Sequence, residues 1–462
     1  MRDSLVRRCL DYWDYKAKWL YPGMRVKRWL FLAVFGALLS GLGVIISTQE
    51  GILGFLESKI LQASIWSFGS FANWAGLLAI ALGVTIMLMG ISKSINSIMD
   101  AIFPQRDFGF AEVVFQQRHL QRGPRLVVIG GGTGLSVLLK GLKKYTSNIT
   151  AIVTVTDDGG SSGRLRGELG ILPPGDIRNC MVALAEPEDL LDELFQYRFP
   201  DGKTLDGHNM GNLLLAAMTN ITGSFDRAIK AMSKVLAIRG QVLPSTLENI
   251  TLKAETVDGQ MVTGESTITA CAQAIKRVAL EPADCKPLPE ALQAIREAEL
   301  IVLGPGSLYT SVLPNLLIKE IAVELKTTKA AKVYVCNIMT QPGETEGYGA
   351  ADHVQAILDH VGPGVLDYVL VNVEEVPKRL EQKYLEQGAR PVRSERKRLE
   401  KMGLRVVPEK LLYESDLVRH HPDKLSRAII SLLFRAKVQQ ETTEAMKFNL
   451  FGEWFRGKGQ SS

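Results

Sequence analysis

RLVVIGGGTGLSVLLKGLKKY, residues 125–145, changes character within a few positions. Leu126 to Ile129 form a short apolar, largely β-branched run, Gly130, Gly131, Gly132 and Gly134 interrupt it, and Leu135, Leu138, Leu139 and Leu142 then recur at helical spacing. A strand that breaks through glycines into a helix opens a βαβ unit. Its turn leaves amide groups and the positive helix end free for an anion, so Gly131, Gly132, Thr133 and Gly134 are candidate phosphate ligands. A full dinucleotide fingerprint is not present, because the position of the third glycine or alanine holds Leu135 or Val137. The plainer reading is a tight turn that needs glycine for its own sake.

The same alternation continues downstream. ITAIVTVT (149–156) runs into DDGGSSGRLRGELG (157–170), PPGDIRNCMVALA (173–185) starts another helix, and LIVLGPGSLYTSV (300–312) and KVYVCNIMTQPGETEGY (332–348) repeat the step from strand to loop. LDYVLVN (366–372) adds a late strand. Strands alternating with helical stretches predict an α/β, Rossmann-like fold with a mostly parallel sheet flanked by helices. Ligands of such sheets collect beyond the carboxyl ends of the strands, where every one of these glycine-rich runs falls, so a single cleft is expected to hold them. QVLPSTLENITLKAETVDGQMVTGESTIT (241–269), with its Asp-Gly and Thr-Gly turns, reads as antiparallel strands added at an edge.

Asp157 and Asp158 end the second strand directly before Gly159, Gly160, Ser161 and Ser162. Adjacent carboxylates suit a hard cation such as Mg²⁺ bound together with substrate phosphates, while the glycines, serines and Arg164 can serve the same phosphate. Two alternatives stand beside this: Asp157 on a ribose hydroxyl of a dinucleotide, or an Asp-capped turn with solvated arginines. Asn209 and Asn212 flank a helix entrance and are read as cap and ligand contact, with the neighbouring His208 structural. Gly304, Gly306 and Ser307 form a further loop able to receive a phosphate or a ribose. Ser307 lacks a GxSxG elbow and a His/Asp relay, which disfavours a hydrolase.

The first hundred residues differ from the rest. WLFLAVFGALLSGLGVIIS (29–47) and FANWAGLLAIALGVTIMLMGI (71–91) are each about long enough to cross a hydrocarbon core of ~30 Å. Eight lysines and arginines precede the first run, whereas Glu50, Glu57 and Lys59 are the only charges in the loop between the two, which predicts a two-pass plasma-membrane hairpin with both ends cytoplasmic. The expected organisation is a basic arm over 1–28, the hairpin over 29–92, a connector over 93–123, an α/β unit over 124–439 and a tail over 440–462 that is interfacial or disordered. The charged stretch 377–401 reads as a solvated face or mobile loop, with protein docking as the alternative. A net charge of +5 is too diffuse for a nucleic-acid face, and five scattered cysteines without a CxxC pair exclude a zinc framework and indicate a reducing compartment.

GGGTGLSVLLKGLK, TVTDDGGSSGRLR, PPGDIRNC, HNMGNLLLAA, LGPGSLYTSVLPNLL and NIMTQPGETEGY resemble, in order, the motifs of the gluconeogenesis factor family, a branch of the 2-phospho-L-lactate transferase-like proteins. The resemblance covers roughly two thirds of the chain, from about Arg125 to DLVRHHPDKLSRAI (416–429). It implies a Rossmann-like domain that binds UDP-sugars, UDP-N-acetylglucosamine in particular, and supports gluconeogenic growth and cell shape without necessarily turning a substrate over. The transferase relatives move a phospholactyl group from a guanosine diphosphate donor to a deazaflavin alcohol, with metal-binding aspartates near the positions of Asp157 and Asp158. The DDGGSSGRLR form here is that of the gluconeogenesis factor branch, which sets the deazaflavin reaction apart. No tightly bound organic cofactor is expected, self-association is left open, and a nicotinamide-dependent oxidoreductase is the third and weakest reading.

Overall fold

A computed structural model describes residues 26–47, 68–102, 119–186, 189–200, 205–271, 273–413 and 417–439. Most of the basic arm, much of the connector and the whole tail lie outside the described residues. The molecule divides into two units, Met1–Arg118 and His119–Ser462.

In the first unit, helix α1 (Lys27–Ser47) and helix α2 (Phe68–Ile102) pair as a hairpin. The best apolar windows have mean hydropathies of 2.4 and 2.2, yet only 11% and 17% of them is buried, so the helices are long and apolar enough to cross a membrane and leave most of that apolar surface outward. Leu30, Phe31, Val34, Phe35 and Leu38 on α1, with Trp74, Leu78, Leu82 and Leu88 on α2, turn outward. The seam is made of small residues. Gly76, Gly83 and Gly90 recur every seventh position and face Gly43, Gly36 and Ala33. A Cβ at Gly43 would lie 2.7 Å from the Ile80 amide nitrogen, and one at Gly83 would lie 2.5 Å from that of Ser40. Small residues at a seam let two helix backbones approach closely and pack by van der Waals contact. At one end of the pair the Arg28 and Lys93 cations stand 4.8 and 4.5 Å from the Trp29 ring centroid, an arrangement suited to an interface.

The second unit is the α/β domain. Its sheet has seven strands: β1 (Leu126–Gly130), β2 (Ile149–Val153), β3 (Gln241–Pro244), β7 (Leu300–Leu303), β8 (Ala331–Val335), β9 (Tyr368–Asn372) and β10 (Arg405–Glu409), in the order β10-β9-β8-β7-β1-β2-β3. Every neighbouring pair is parallel. Strands β1, β2, β7 and β8 are buried throughout, as a sheet covered on both faces requires. The order reverses between β1 and β7, so a topological switch point opens at their carboxyl ends.

Two expectations are modified. The stretch 241–269 gives the parallel edge strand β3, and then β4 (Thr251–Thr256) and β5 (Met261–Thr263); β4 pairs with β5 on one side and with β6 (Ile275–Glu281) on the other in a separate antiparallel sheet. The alternating burial of β4 shows why: one face packs and the other is wet, unlike the strands of the main sheet. The charged stretch 377–401 is anchored rather than simply solvated. Its centre runs beside the loop after β8, with Thr340 and Arg390 exchanging hydrogen bonds and the Val392 amide donating to the Ile338 carbonyl at 2.9 Å.

Candidate functional site

The loop after β1 leads into helix α3 (Gly132–Leu142), whose first residue has a φ of +67° that only glycine adopts without strain. Gly134 is required by crowding, since a Cβ there would stand 2.6 Å from the Pro305 carbonyl oxygen. The loops after β1 and β7 therefore touch. On the other side, the Thr154 amide donates to the Gly130 carbonyl at 3.0 Å, which carries the end of β2 alongside. The three glycine runs meet at one edge of the sheet, as the pattern of strand ends requires.

They do not all line one hollow. A cavity of about 250 Å³ at the switch point is lined by Thr133 and Gly134 after β1, Pro305, Gly306 and Ser307 after β7, Asn337 to Met339 and Gln341 after β8, and Val418, Arg419 and His420. The Asn337 side-chain amide donates to the Gly306 carbonyl at 2.9 Å, and the Ser307 hydroxyl donates to Gln341 Oε1 at 2.6 Å. His420 is buried, its Nε2 has no hydrogen-bond partner, and burial pulls its pKa down to about 4, so it stays neutral in the cavity wall. The Val418 amide donates to the Tyr384 hydroxyl at 3.1 Å, which ties this wall to the charged stretch. A larger hollow of about 470 Å³ lies at the amino ends of β1 and β2, around Arg125, Asn148 and Glu297, away from every glycine loop.

The residues after β2 form the second part of the site. Helix α4 (Gly160–Leu169) begins at Gly160 with φ +49°, behind Gly159. Asp157 Oδ1 accepts from the Gly159 amide at 2.9 Å, while Asp158 Oδ1 accepts from the Ser266 amide at 2.8 Å at the start of a short helix over Glu265–Ala270. Asp176, in the first turn of helix α5 (Gly175–Leu184), accepts from the Gly132 amide at 2.7 Å and so joins the two parts. Burial, with the negative charge of Asp157 beside it, pushes the Asp176 carboxyl up to about 6 against the pull of Gly132 and Arg178. Glu265 is raised further by burial and by the charges of Asp157 and Asp176, and Thr156 donates to it at 3.2 Å. Among the described residues no group of three or more His, Cys, Asp or Glu side chains is arranged to hold a metal by itself.

Ser161 and Ser162 are buried. Ser161 Oγ meets His208 Nδ1, the Asn209 amide and the Asn212 side-chain amide, each at 3.2 Å. Asn209 caps helix α6 (Met210–Thr222) by accepting from the Asn212 amide at 3.2 Å, and Arg178 donates to Asn212 Oδ1 at 2.9 Å. Burial, and next to it the charge of Arg198, lowers the Arg178 guanidinium to about 10, still charged at neutral pH. Arg164 turns to the Asp206 carbonyl. Ser161, Asn209 and Asn212 thus brace the α4–α6 contact and line no part of the 250 Å³ cavity. Asp176, Glu265, Glu344, Arg419 and His420 were not singled out from sequence. The motifs PPGD and QPGET carried two of them, but a lone carboxylate after a proline reads as a helix start or turn until the fold brings its neighbours near.

Residues 126–412, which take in all seven strands, match the family model of the 2-phospho-L-lactate transferase CofD. The chain belongs to the CofD family. Within it, the gluconeogenesis factor of Bacillus subtilis strain 168 is 54% identical over 311 residues, 67% of this chain and 98% of that one. A Clostridium acetobutylicum relative is 42% identical over 443 residues, covering 93% of this chain and 94% of its own length, so its similarity extends into the hairpin region. The crystal structure of a UPF0052 family member from Bacillus halodurans, at 2.60 Å resolution, aligns with a TM-score of 0.65 and 54% identity over 66% of this chain and 99% of that one. By these likenesses the α/β unit is a CofD-family gluconeogenesis factor homologue preceded by two long apolar helices.

Proposed function

We propose that the α/β unit binds a UDP-sugar, UDP-N-acetylglucosamine above all, and acts as a regulator linking carbon use to envelope synthesis and cell shape. The switch-point cavity carries this reading. Helix α3 brings its amino end there beside the amides of Thr133 and Gly134, a geometry that favours phosphate, and Arg419 can pair bidentately with a diphosphate. Asn337, Ser307 and Gln341 supply the neutral polar groups a sugar or a ribose needs. His208, the histidine within the motifs, is engaged with Ser161 and is not poised as a base, which fits binding without turnover. In this reading the chain crosses the plasma membrane twice with both ends cytoplasmic, beside membrane-bound synthesis, and the excess of lysine and arginine ahead of the first apolar run supports it.

Titration calorimetry of the full chain with UDP-N-acetylglucosamine tests this. Arg419→Ala is expected to weaken binding about tenfold or more, the size of a lost charge-assisted hydrogen bond. Equal affinity in wild type and variant, or no heat in wild type at millimolar ligand, overturns the proposal.

A second reading, a metal-dependent transferase acting on a nucleotide diphosphate donor, is favoured by the carboxyl of Asp176, raised to about 6 and so able to exchange a proton not far from neutral pH, beside Glu265, whose carboxyl burial raises as well. Asp157 and Asp158 are the pair that would hold Mg²⁺ in this reading, in the mode that uses one or two carboxylates plus ligand phosphates. The ion would offset charge on the phosphates. Nucleotide released from a UDP- or GDP-linked donor in the presence of a cell extract separates this reading from the regulator.

A further inference from the structure

The π-helical turn Leu308–Val312 and the loop after β8 are joined by one buried carboxylate, Glu344. Its Oε2 accepts from the Tyr309 amide at 3.3 Å, and its Oε1 accepts from the Thr310 hydroxyl at 3.1 Å and from Gln341 Nε2 at 2.8 Å. Gln341 in turn takes the Ser307 hydroxyl proton on Oε1 at 2.6 Å, and both Gln341 and Ser307 line the switch-point cavity.

We infer that Glu344 is a positioning residue that fixes the hydrogen-bonding polarity of this cavity: acting through Gln341, it makes Ser307 present a lone pair, so that Ser307 receives a hydroxyl or N–H of the ligand and not a phosphate oxygen. This deepens the nucleotide-sugar reading and rests on it. The reasoning is one of proton inventory. A carboxylate has no proton to give, so Gln341 must turn its NH₂ toward Glu344 and its carbonyl toward Ser307. A carbonyl only accepts, so the single hydroxyl proton of Ser307 is committed to it. What remains for the cavity is an acceptor. The sequence alone placed Ser307 as a receiver of phosphate or ribose, and the relay decides for the ribose or sugar side.

The relay also has a second state. Burial pushes the Glu344 carboxyl up to about 7. When protonated it can donate to Gln341 Oε1. The amide then turns, its NH₂ donates to Ser307, and the Ser307 hydroxyl proton is freed toward the cavity, where it suits a phosphate oxygen. The titratable groups that feel the charge of Glu344 are Glu265, whose own carboxyl is raised, and the phenol of Tyr309, which is hydrogen-bonded to the Tyr348 hydroxyl. The Tyr309 phenol is pushed far up by burial and stays neutral, so it does not compete for the proton.

The test uses the full chain in lipid nanodiscs. Affinity for UDP-N-acetylglucosamine is expected to fall about three- to tenfold in wild type as pH is lowered from about 8 to 6, the size of one neutral hydrogen bond. Asp176 titrates in an overlapping range, so the decisive quantity is the difference between wild type and Glu344→Gln, which should lose that part of the pH dependence. Ser307→Ala should lose the same part, and the double variant should lose no more than either single one, because the two act as a unit. Additive losses, or an unchanged pH profile in Glu344→Gln, overturn the inference. A readout without ligand separates it from the binding proposal: the Gln341 side-chain amide resonances, identified by their loss in Gln341→Met, should shift with a midpoint near 7 in wild type and stay flat in Glu344→Gln. If wild type binds no UDP-N-acetylglucosamine but this titration is present, the nucleotide-sugar reading fails while the relay stands. If the resonances do not titrate in wild type, the relay is wrong whatever binds.

Discussion

Replacing Asp176 by Asn should stabilise the protein at neutral pH and leave it unchanged in acid. In the folded chain the Asp176 carboxyl is raised from 3.8 to about 6, chiefly by burial and then by Asp157. Between those values the folded state holds a proton that the unfolded state has released, so stability declines as pH rises through that window and stays reduced above it. At about 1.4 kcal/mol per pH unit the ionised carboxylate costs at most about 3 kcal/mol above pH 7. Asn keeps an oxygen for the Gly132 amide, now 2.7 Å from Asp176 Oδ2, and carries no charge to repel Asp157. Thermal melts of wild type and Asp176→Asn from pH 4 to pH 8 should diverge progressively, with the variant a few degrees higher at pH 8 and equal at pH 4. A constant offset across that range, or a variant less stable at pH 8, would refute the reasoning, because either requires that Asp176 is not desolvated in the folded chain.

Ser161→Ala should cost about 1–3 kcal/mol in chemical denaturation, because the buried Asn209 amide and Asn212 side chain each lose a partner; a loss below about 0.5 kcal/mol would mean that water replaces the hydroxyl. In the hairpin, Gly83→Leu should push the helices apart, since even its Cβ would stand 2.5 Å from the Ser40 amide, whereas Gly41→Leu should be tolerated because nothing lies within 4 Å of a Cβ there. Spin-label distances between α1 and α2 should lengthen in the first variant and not in the second.

Much of the fold was determined by local sequence. Runs such as Leu126–Ile129 and Leu300–Leu303 suit strands covered on both faces, Gly130–Gly132 and the Gly304-Pro305-Gly306 turn can bend the chain sharply, and the charge-free apolar stretch Trp29–Ser47 of α1 is long enough to suit lipid better than a core. Strand β10 was missed because Arg405, Pro408 and Glu409 mask its pattern, and an edge strand tolerates them since it pairs on one side only. The site divides along the same line. Backbone features are short-range, so the phosphate-type turns were visible as glycines; side-chain environments are set by residues far apart in the chain, so they were not. Ser161 and Asn212 look identical in sequence whether they brace two helices or touch a ligand, and only packing committed them to each other. Asp176 and Glu344 became unusual acids only once the chain had buried them, because the cost of a charge depends on the surrounding dielectric, and that is a property of the folded neighbourhood and not of the residue.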